Sequence, residues 1–546
     1  MKLRLATAVA ALVTAFAAVT GTLVGSTAAT AATAASAASA ASAADPTGPP
    51  PLADGFGLTQ VSDPSLVNNP GIPGNTATDF RITVTTAQVA NAPGTVGHHI
   101  RIVLPSDYNS DPGKRYPVLY LLNGSPGDPC DYFDADRVPG FDGIKNNSGM
   151  IIVMPDGGAR GWYTNWLMQN TEAGAQNWEN FEIDQVIPFI DANLRTLADR
   201  AHRGIAGISM GGFGALHLAQ LHPDLFSQVA TLSGEDDISA NEMIFREVMI
   251  ASMTNQKTQV FAPLVSLLTG GVQKWSYCQP VDDPYQPSVS NTDAMYGTPY
   301  PFSLVTPPYN DSLWNAADPT EHASAFAGMN VSIYVGNGRS VPTTAEFWLE
   351  SESQHFAAAL ANAGQHPYFV DYGGGAGWGS CDGQHDYSCW DHDLVDLLPR
   401  MQAAFAGSPA TPATAVGQAT VATQGLCLDV RNGAFLDNTP VQVYGCNGSV
   451  AQSWTVGFGS TVRSMGKCLD VSGGGTTNGT GVDLYACNGT GAQNWVPQAD
   501  GTLLNPQSGR CLTDPAVGGA GTQAVIQDCA GGTDPDQQWT LPRATA

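Results

Sequence analysis

The chain has 546 residues, with 22 Lys plus Arg against 48 Asp plus Glu and a formal net charge of −26. That excess of negative charge argues against an electrostatic grip on nucleic acid or anionic lipid and for a neutral or apolar ligand. The length exceeds what one core fills and implies two or three domains of a globular protein.

Met1 is followed by Lys2 and Arg4, an apolar run from Leu5 to Val24, and an Ala/Ser/Thr stretch with A-x-A-like cleavage options up to Ala44. This is the pattern of a secretory signal, so residues 1–44 are expected to lie outside the fold and the protein to be secreted. A membrane anchor is the competing reading, but the run is Ala-rich and grades into small polar residues. No later segment has the unbroken apolar length of a membrane span, so the protein is not expected to be integral to a membrane. Ten cysteines, an even number, can all pair in a secreted chain.

The runs "YPVLYLLNG" (116–124), "MIIVMPDGG" (150–158), "GIAGIS" (204–209), "VSIYVGNG" (331–338) and "PYFVDYGGG" (367–375) are short, nearly continuous in apolar residues and end in Gly or polar residues. Buried parallel strands read this way. Helical patterns lie between them: "WENFEIDQVIPFIDANLRTL" (178–197) spaces Phe181, Ile187, Ile190 and Leu194 along one side, and "MGGFGALHLAQLHP" (210–223) stops at a proline. The alternation predicts a three-layer α/β sandwich.

Where "GIAGIS" meets "MGGFGAL", Gly207-Ile208-Ser209-Met210-Gly211 forms a G-x-S-x-G with a strand before it and a helix after it. Ser209 is expected in a strained elbow as a nucleophile, with the Met210 N–H facing the developing oxyanion. Serine needs a base, and that base is expected later in the chain after an acid. Beyond "VSIYVGNG", the stretch "TTAEFWLESESQHF" offers Glu346, Glu350 and Glu352, among which spacing does not choose. The base is expected in "CDGQHDYSC", where His385 is flanked by Cys381 and Cys389. A bridge between them would close a nine-residue ring and restrict it by about 2.5 kcal/mol. A zinc site from Cys-x3-His-x3-Cys fits no usual ligand pattern, and the proposed chemistry needs no metal or organic cofactor. His217, His222, His355 and His392 read as packed or surface residues.

Around residues 405–418 the chain turns to Ala, Pro, Thr and Gly without an apolar period, the composition of a linker. Beyond it the sequence repeats. Units beginning at Gly425, Gly466 and Gly509, about 42 residues apart, each carry two cysteines and a Gln-x-Trp. The spacing pairs Cys427 with Cys446, Cys468 with Cys487 and Cys511 with Cys529. The expected organisation is a signal and Ala-rich segment to 44, an α/β domain over 45–406, a linker over 407–417 and a repeat domain over 418–543.

The repeat half resembles the ricin-type β-trefoil lectins, in which the Gln-x-Trp tryptophans Trp454, Trp495 and Trp539 would share a core, with Gln537 in the same structural motif. The resemblance implies sugar sites at Asp429, Tyr444, Asn447 and Gln452 in the first lobe and at Asp470, Tyr485, Asn488 and Gln493 in the second. A carboxylate and an amide suit vicinal hydroxyls, and a ring face suits the C–H surface of a sugar. Thr513, Ile526 and Ala530 replace that set in the third lobe, which is expected to be silent.

"YLLNG", "MIIVMPDGG", "GISMGG", "YVGNG" and "GQHDYSCW" resemble, in order and context, the secreted mycolyltransferases and their wider esterase relatives, including esterase D and feruloyl esterases. The resemblance covers about residues 75–405. It implies an α/β-hydrolase three-layer sandwich followed by an all-β β-trefoil, with Ser209 as nucleophile, His385 as base and Glu346, ten residues before Phe356, as acid. Glu350 is the reserve. The second oxyanion amide would be that of Ser125. Mycolyltransferases carry Asp-Gly-Leu-Arg where this chain has Asn123, Gly124, Ser125 and Pro126, which points away from trehalose mycolyl transfer. Cys130 and Cys278 pair by elimination, and residues 235–320 read as a partly helical cap. The implied function is a secreted serine carboxylic-ester hydrolase acting on acylated glycans, held to polysaccharide by the lectin. Acyl transfer to a sugar or glycerolipid is the alternative, and a non-catalytic carbohydrate-binding protein is the second.

Overall fold

The computed structural model describes residues 48–63, 75–91, 94–125, 133–158, 160–169, 174–238, 295–296, 311–375, 377–408, 415–456, 460–515 and 519–542. The expected signal, the Cys130–Cys278 pair and most of the expected cap lie outside these residues.

Among the described residues nine strands form the first sheet: β1 Thr59–Val61, β2 Asp79–Thr85, β3 His98–Val103, β4 Val118–Leu122, β5 Ile151–Pro155, β6 Arg203–Ile208, β7 Gln228–Leu232, β8 Asn330–Gly336 and β9 Tyr368–Gly373. Their order is β1-β2-β3-β5-β4-β6-β7-β8-β9. β1, β2 and β3 run antiparallel, β3 pairs antiparallel with β5, and every pairing from β5 to β9 is parallel. The antiparallel edge escapes the sequence reading because charge interrupts its strands. Arg101 on β3 is buried and paired with Asp79 on β2 through bonds of 2.9 and 2.7 Å, so residues that look solvated lie inside.

Among the described residues the helices are α1 Pro139–Ile144, α2, α3 Met210–Leu221, α4 Asp311–Ala317, α5 Ala345–Asn362 and α6 Tyr387–Phe405. α2 runs as Trp178–Asn180, a π-helical stretch Phe181–Val186 and Ile187–Asn193. It ends earlier than the apolar period suggested: Leu194 is extended, at φ −122°, and packs into the core from outside the helix. Successive residues of the central strands face opposite layers. Ile205 and Ile333 pack with Phe213, Leu216 and Phe356 of α3 and α5, whereas Ala206, Ile208 and Tyr334 pack with Phe141, Leu394 and Leu397 of α1 and α6. The result is an α/β sandwich of the α/β-hydrolase type.

Fourteen short strands between Ala415 and Thr540 form one hydrogen-bonded β network. Its threefold repeat is visible in its tryptophans. The indole N–H groups of Trp454, Trp495 and Trp539 donate to the carbonyls of Leu428, Leu469 and Leu512 at 2.8, 2.8 and 2.9 Å. The three expected disulfides, Cys427–Cys446, Cys468–Cys487 and Cys511–Cys529, are formed. This is a β-trefoil. Ala415–Gly417, expected in the linker, instead pair with Trp454–Val456 as a trefoil strand. Small residues without an apolar period read as linker, but a backbone ladder does not require that period.

Candidate active site

Ser209 stands between β6 and α3 with φ 55° and ψ −122°, a conformation costly for a residue with a Cβ. The flanking glycines make the turn possible. A Cβ on Gly207 would lie 2.0 Å from the Gly211 carbonyl oxygen, and one on Gly211 would lie 2.3 Å from that of Leu122. The second approach sets the N-terminus of α3, and with it the Met210 N–H, against the chain leaving β4 toward Ser125. Asn123 anchors that chain: the Tyr163 hydroxyl donates to its carbonyl oxygen at 3.0 Å.

His385 lies between β9 and α6. Its Nε2 is 2.9 Å from Ser209 Oγ, and its Nδ1 is 2.8 Å from Glu346 Oε2. Glu346, in the first turn of α5, is fully buried, and its other oxygen accepts from the Gly336 N–H at 2.8 Å and from the Ser233 hydroxyl at 2.7 Å. Thus β6, β8 and β9 each deliver one group from their C-terminal ends, where α/β sheets place their sites. Glu350 and Glu352, left open by spacing, are buried further along α5, and Glu350 faces Asp371 while Glu346 takes the bond to His385.

The Cys381–Cys389 disulfide is present and brackets His385, with 4.2 Å between the Cα atoms. It consumes both sulfurs that the Cys-x3-His-x3-Cys reading would give to zinc. The loop is also clasped by the turn after β8, because the Gly338 N–H donates to the Gly383 carbonyl at 2.8 Å. The Trp390 ring meets the imidazole edge-on at 4.9 Å, and its N–H donates to Ser233 at 3.2 Å.

Burial works against the imidazolium, but the Glu346 hydrogen bond and the charges of Glu346, Glu235 and Asp386 outweigh it, so the His385 pKa is raised. An imidazole held between a buried carboxylate and a serine hydroxyl can take the serine proton. Sequence reasoning missed two members of this site. Ser233, after β7, steers Glu346 from a left-handed backbone at φ 51°. Glu235 follows it and is buried, which pushes its carboxyl up to about 7 against the opposing charge of His385. The other histidines have partners elsewhere: His217 stacks on Phe213, His222 bonds Glu179, His355 bonds Asp237, and His392 accepts from Ser380.

In the first trefoil lobe, Asp429 accepts from Gln442 at 2.8 Å and from Gln452 at 3.0 Å. Tyr444 is 45% exposed beside the exposed Asn447, whose side-chain Oδ1 accepts from the Ser449 N–H at 3.0 Å. The second lobe repeats the last bond, from Thr490 to Asn488 at 3.0 Å, and Tyr485 is half-buried. Burial raises the Asp470 carboxyl against a hydrogen bond from Gln493. Gln452, Gln493 and Gln537 each accept from the backbone N–H of Asn447, Asn488 and Ala530 at 2.8, 2.8 and 2.9 Å. The same clip persists in the third lobe, where Thr513 accepts from Gln537 and Ile526 is buried, so these glutamines hold the repeat itself.

Residues 97–401 match the family described as Putative esterase, and residues 415–541 match the Ricin-type beta-trefoil lectin domain. Esterase Rv1288 of Mycobacterium tuberculosis (strain ATCC 25618 / H37Rv) is 42% identical over 135 residues, which are 25% of this chain and 28% of that protein. The chain therefore spans well under half of that relative. The diacylglycerol acyltransferase/mycolyltransferase Ag85B of Mycobacterium avium is 25% identical over 312 residues, 54% of this chain and 78% of that protein. The crystal structure of Mycobacterium tuberculosis MPT51 is 21% identical, covers 58% of this chain and 97% of its own, and has a TM-score of 0.39. With more than half of its length matched, the chain belongs to this esterase family, and its C-terminal part carries a ricin-type beta-trefoil lectin domain.

Proposed function

We propose that the protein is a secreted serine carboxylic-ester hydrolase whose lectin domain engages a glycan carrying the ester. The observation that carries this reading is the unbroken chain of hydrogen bonds from Ser209 through His385 to Glu346. Ser209 attacks the ester carbonyl while His385 Nε2 takes its proton, and the Met210 and Ser125 amides receive the oxyanion. Glu346 holds the imidazole by Nδ1 and balances its charge. His385 then returns the proton to the leaving alcohol. Water, deprotonated in turn by His385, releases the acid from the acyl-enzyme. Glycan contact falls to Asp429, Tyr444 and Asn447 and to Asp470, Tyr485 and Asn488, with the buried Gln452 and Gln493 holding each set in place. Four disulfides, one around the base, support an oxidising, extracellular setting.

Acyl transfer to an alcohol is the second reading, favoured by the likeness to Ag85B along most of that protein's length. Mass-spectrometric product analysis with an aryl butyrate, with and without excess trehalose or glycerol, separates the two. Free acid alone, absent with Ser209→Ala, supports hydrolysis, and acylated acceptor supports transfer. Failure of a fluorophosphonate to label Ser209 would defeat both. Retention on xylan or galactose resin that survives Asp429→Ala with Asp470→Ala would defeat the glycan assignment.

A further inference from the structure

Helix α5 serves both halves of the protein. Its first turn carries Glu346 to His385, and the next two residues, Phe347 and Trp348, are buried in the apolar core of the trefoil with Val430, Trp454 and Leu469. Phe435 of the first lobe meets both rings edge-on, at 5.9 and 5.2 Å. A Cβ on Gly466, at φ +73°, would lie 2.5 Å from the Phe347 ring. Lys467 is buried, bonds Asp437 at 2.8 Å and lies 5.7 Å above that ring, while the Cys487 N–H donates to Ser340 Oγ at 2.9 Å.

The trefoil also reaches behind the helix. Arg463, only 6% exposed, donates from Nη1 to the Asp371 carbonyl at 2.9 Å and pairs with the Asp371 carboxylate. Asp371 lies on β9 and is fully buried. Gly373 leaves room for the guanidinium, since a Cβ there would lie 2.6 Å from its carbon. Glu350 stands one turn beyond Glu346, on the same side of α5, fully buried and facing Asp371. Burial and the Asp371 charge hold the Glu350 carboxyl well above the usual range, and the Arg463 charge opposes them.

We propose that Arg463 is a positioning residue for ester cleavage: from the trefoil it balances the buried Asp371–Glu350 pair and so holds α5, and with it Glu346, against His385. This inference rests on the Ser209–His385–Glu346 reading. The lectin is then part of the support of the active site and not only an anchor. Removing one partner of a buried pair leaves an uncompensated charge, which the surrounding elements relieve by moving. A shift of about 1 Å in a catalytic group can cost about 10²-fold in rate.

The test compares Arg463→Met and Arg463→Lys in the full chain on a soluble aryl butyrate, with kcat normalised to the serine titrated by a fluorophosphonate. For Arg463→Met we expect kcat per titrated serine to fall about tenfold or more with KM within about twofold. The acid limb of the pH profile should move upward, because Asp371 has lost its balancing charge. Arg463→Lys should recover part of the rate. A merely structural role lowers the titratable fraction and Tm but leaves kcat per titrated serine and the pH limb at their original values, and that result overturns the proposal. If Arg463→Met yields no soluble protein, Arg463→Lys decides by the same two readouts, with a loss of about threefold expected and no change fatal. Unlabelled wild-type protein would defeat the triad reading and this inference with it, whereas labelled wild type with unchanged variants defeats the inference alone.

Discussion

The Ser233 hydroxyl donates a 2.7 Å hydrogen bond to Glu346, from a backbone held at φ 51°. Glu346 thus receives three hydrogen bonds, from Ser233, Gly336 and His385, which fix both carboxylate oxygens. Ser233→Ala removes the one side-chain donor that does not belong to the base. We expect kcat for an aryl ester to fall about tenfold, the usual scale for one charge-assisted hydrogen bond, with KM little changed. Steady-state kinetics of the purified variant check this, and an unchanged kcat would assign Ser233 to packing alone.

His385 must be neutral to accept the serine proton, and its pKa is raised above 6.5. The rate should therefore rise with pH along a limb centred above 6.5 and be lost below it. Glu346→Gln removes the hydrogen bond and charge that stabilise the imidazolium. The limb should then move down in pH while kcat falls about 10²- to 10⁴-fold. A limb that stays in place in kcat/KM profiles would mean that another group sets it.

Replacing Cys381 and Cys389 together by Ser opens the nine-residue ring around the base. The loss of about 2.5 kcal/mol of loop restriction should lower Tm by about 5 °C. On the proposed mechanism the effect on kcat should exceed that on KM, since the loop carries His385. Calorimetry with parallel kinetics checks both, and an unaltered kcat would show that the Gly338–Gly383 clasp suffices.

The first two lobes of the trefoil differ in one polar facing pair. Asp429 faces Gln442 across its strands, but Asp470 faces Asp483. Gln442 donates to Asp429, which an ionised Asp483 cannot do for Asp470. Burial, with the Asp470 and Asp437 charges, pushes the Asp483 carboxyl up to about 6 against a Ser472 hydrogen bond. A folded-state pKa above the unfolded value favours folding at low pH and costs stability as pH rises through about 4 to 6. Asp483→Gln should raise Tm by about 2–4 °C at pH 8 and by much less at pH 4. Equal gains at the two pH values in thermal melts would sink this account.

Much of the site is legible in the residues themselves. Ser209 is readable because both glycines of its motif are forced by contacts with the backbone. His385 is readable because its loop follows a late strand and is closed by two cysteines. The acid is harder: Glu346, Glu350 and Glu352 share one helix and all are buried, so composition and spacing treat them alike. Resemblance selects Glu346, and the geometry bonds that residue to His385. Ser233 carries no signal, because its role depends on a left-handed turn that a serine does not advertise. The trefoil contact is equally hidden, since Phe347 and Trp348 look like residues of the sandwich and Arg463 and Lys467 look like solvated charge.

The way Phe347, Trp348 and Gly373 meet the trefoil bears on how such proteins can be recombined. Lectin modules are attractive for grafting, because exchanging one should redirect an esterase to a new polymer. Here an exchange would leave two aromatic rings facing water and, at Gly373, a socket shaped for an absent guanidinium. A transplanted module would need its own counterparts of Phe435, Arg463 and Gly466 before catalysis survived the graft. On the proposed function, a new target polymer is better sought by altering exposed residues such as Tyr444 on the existing trefoil than by replacing it.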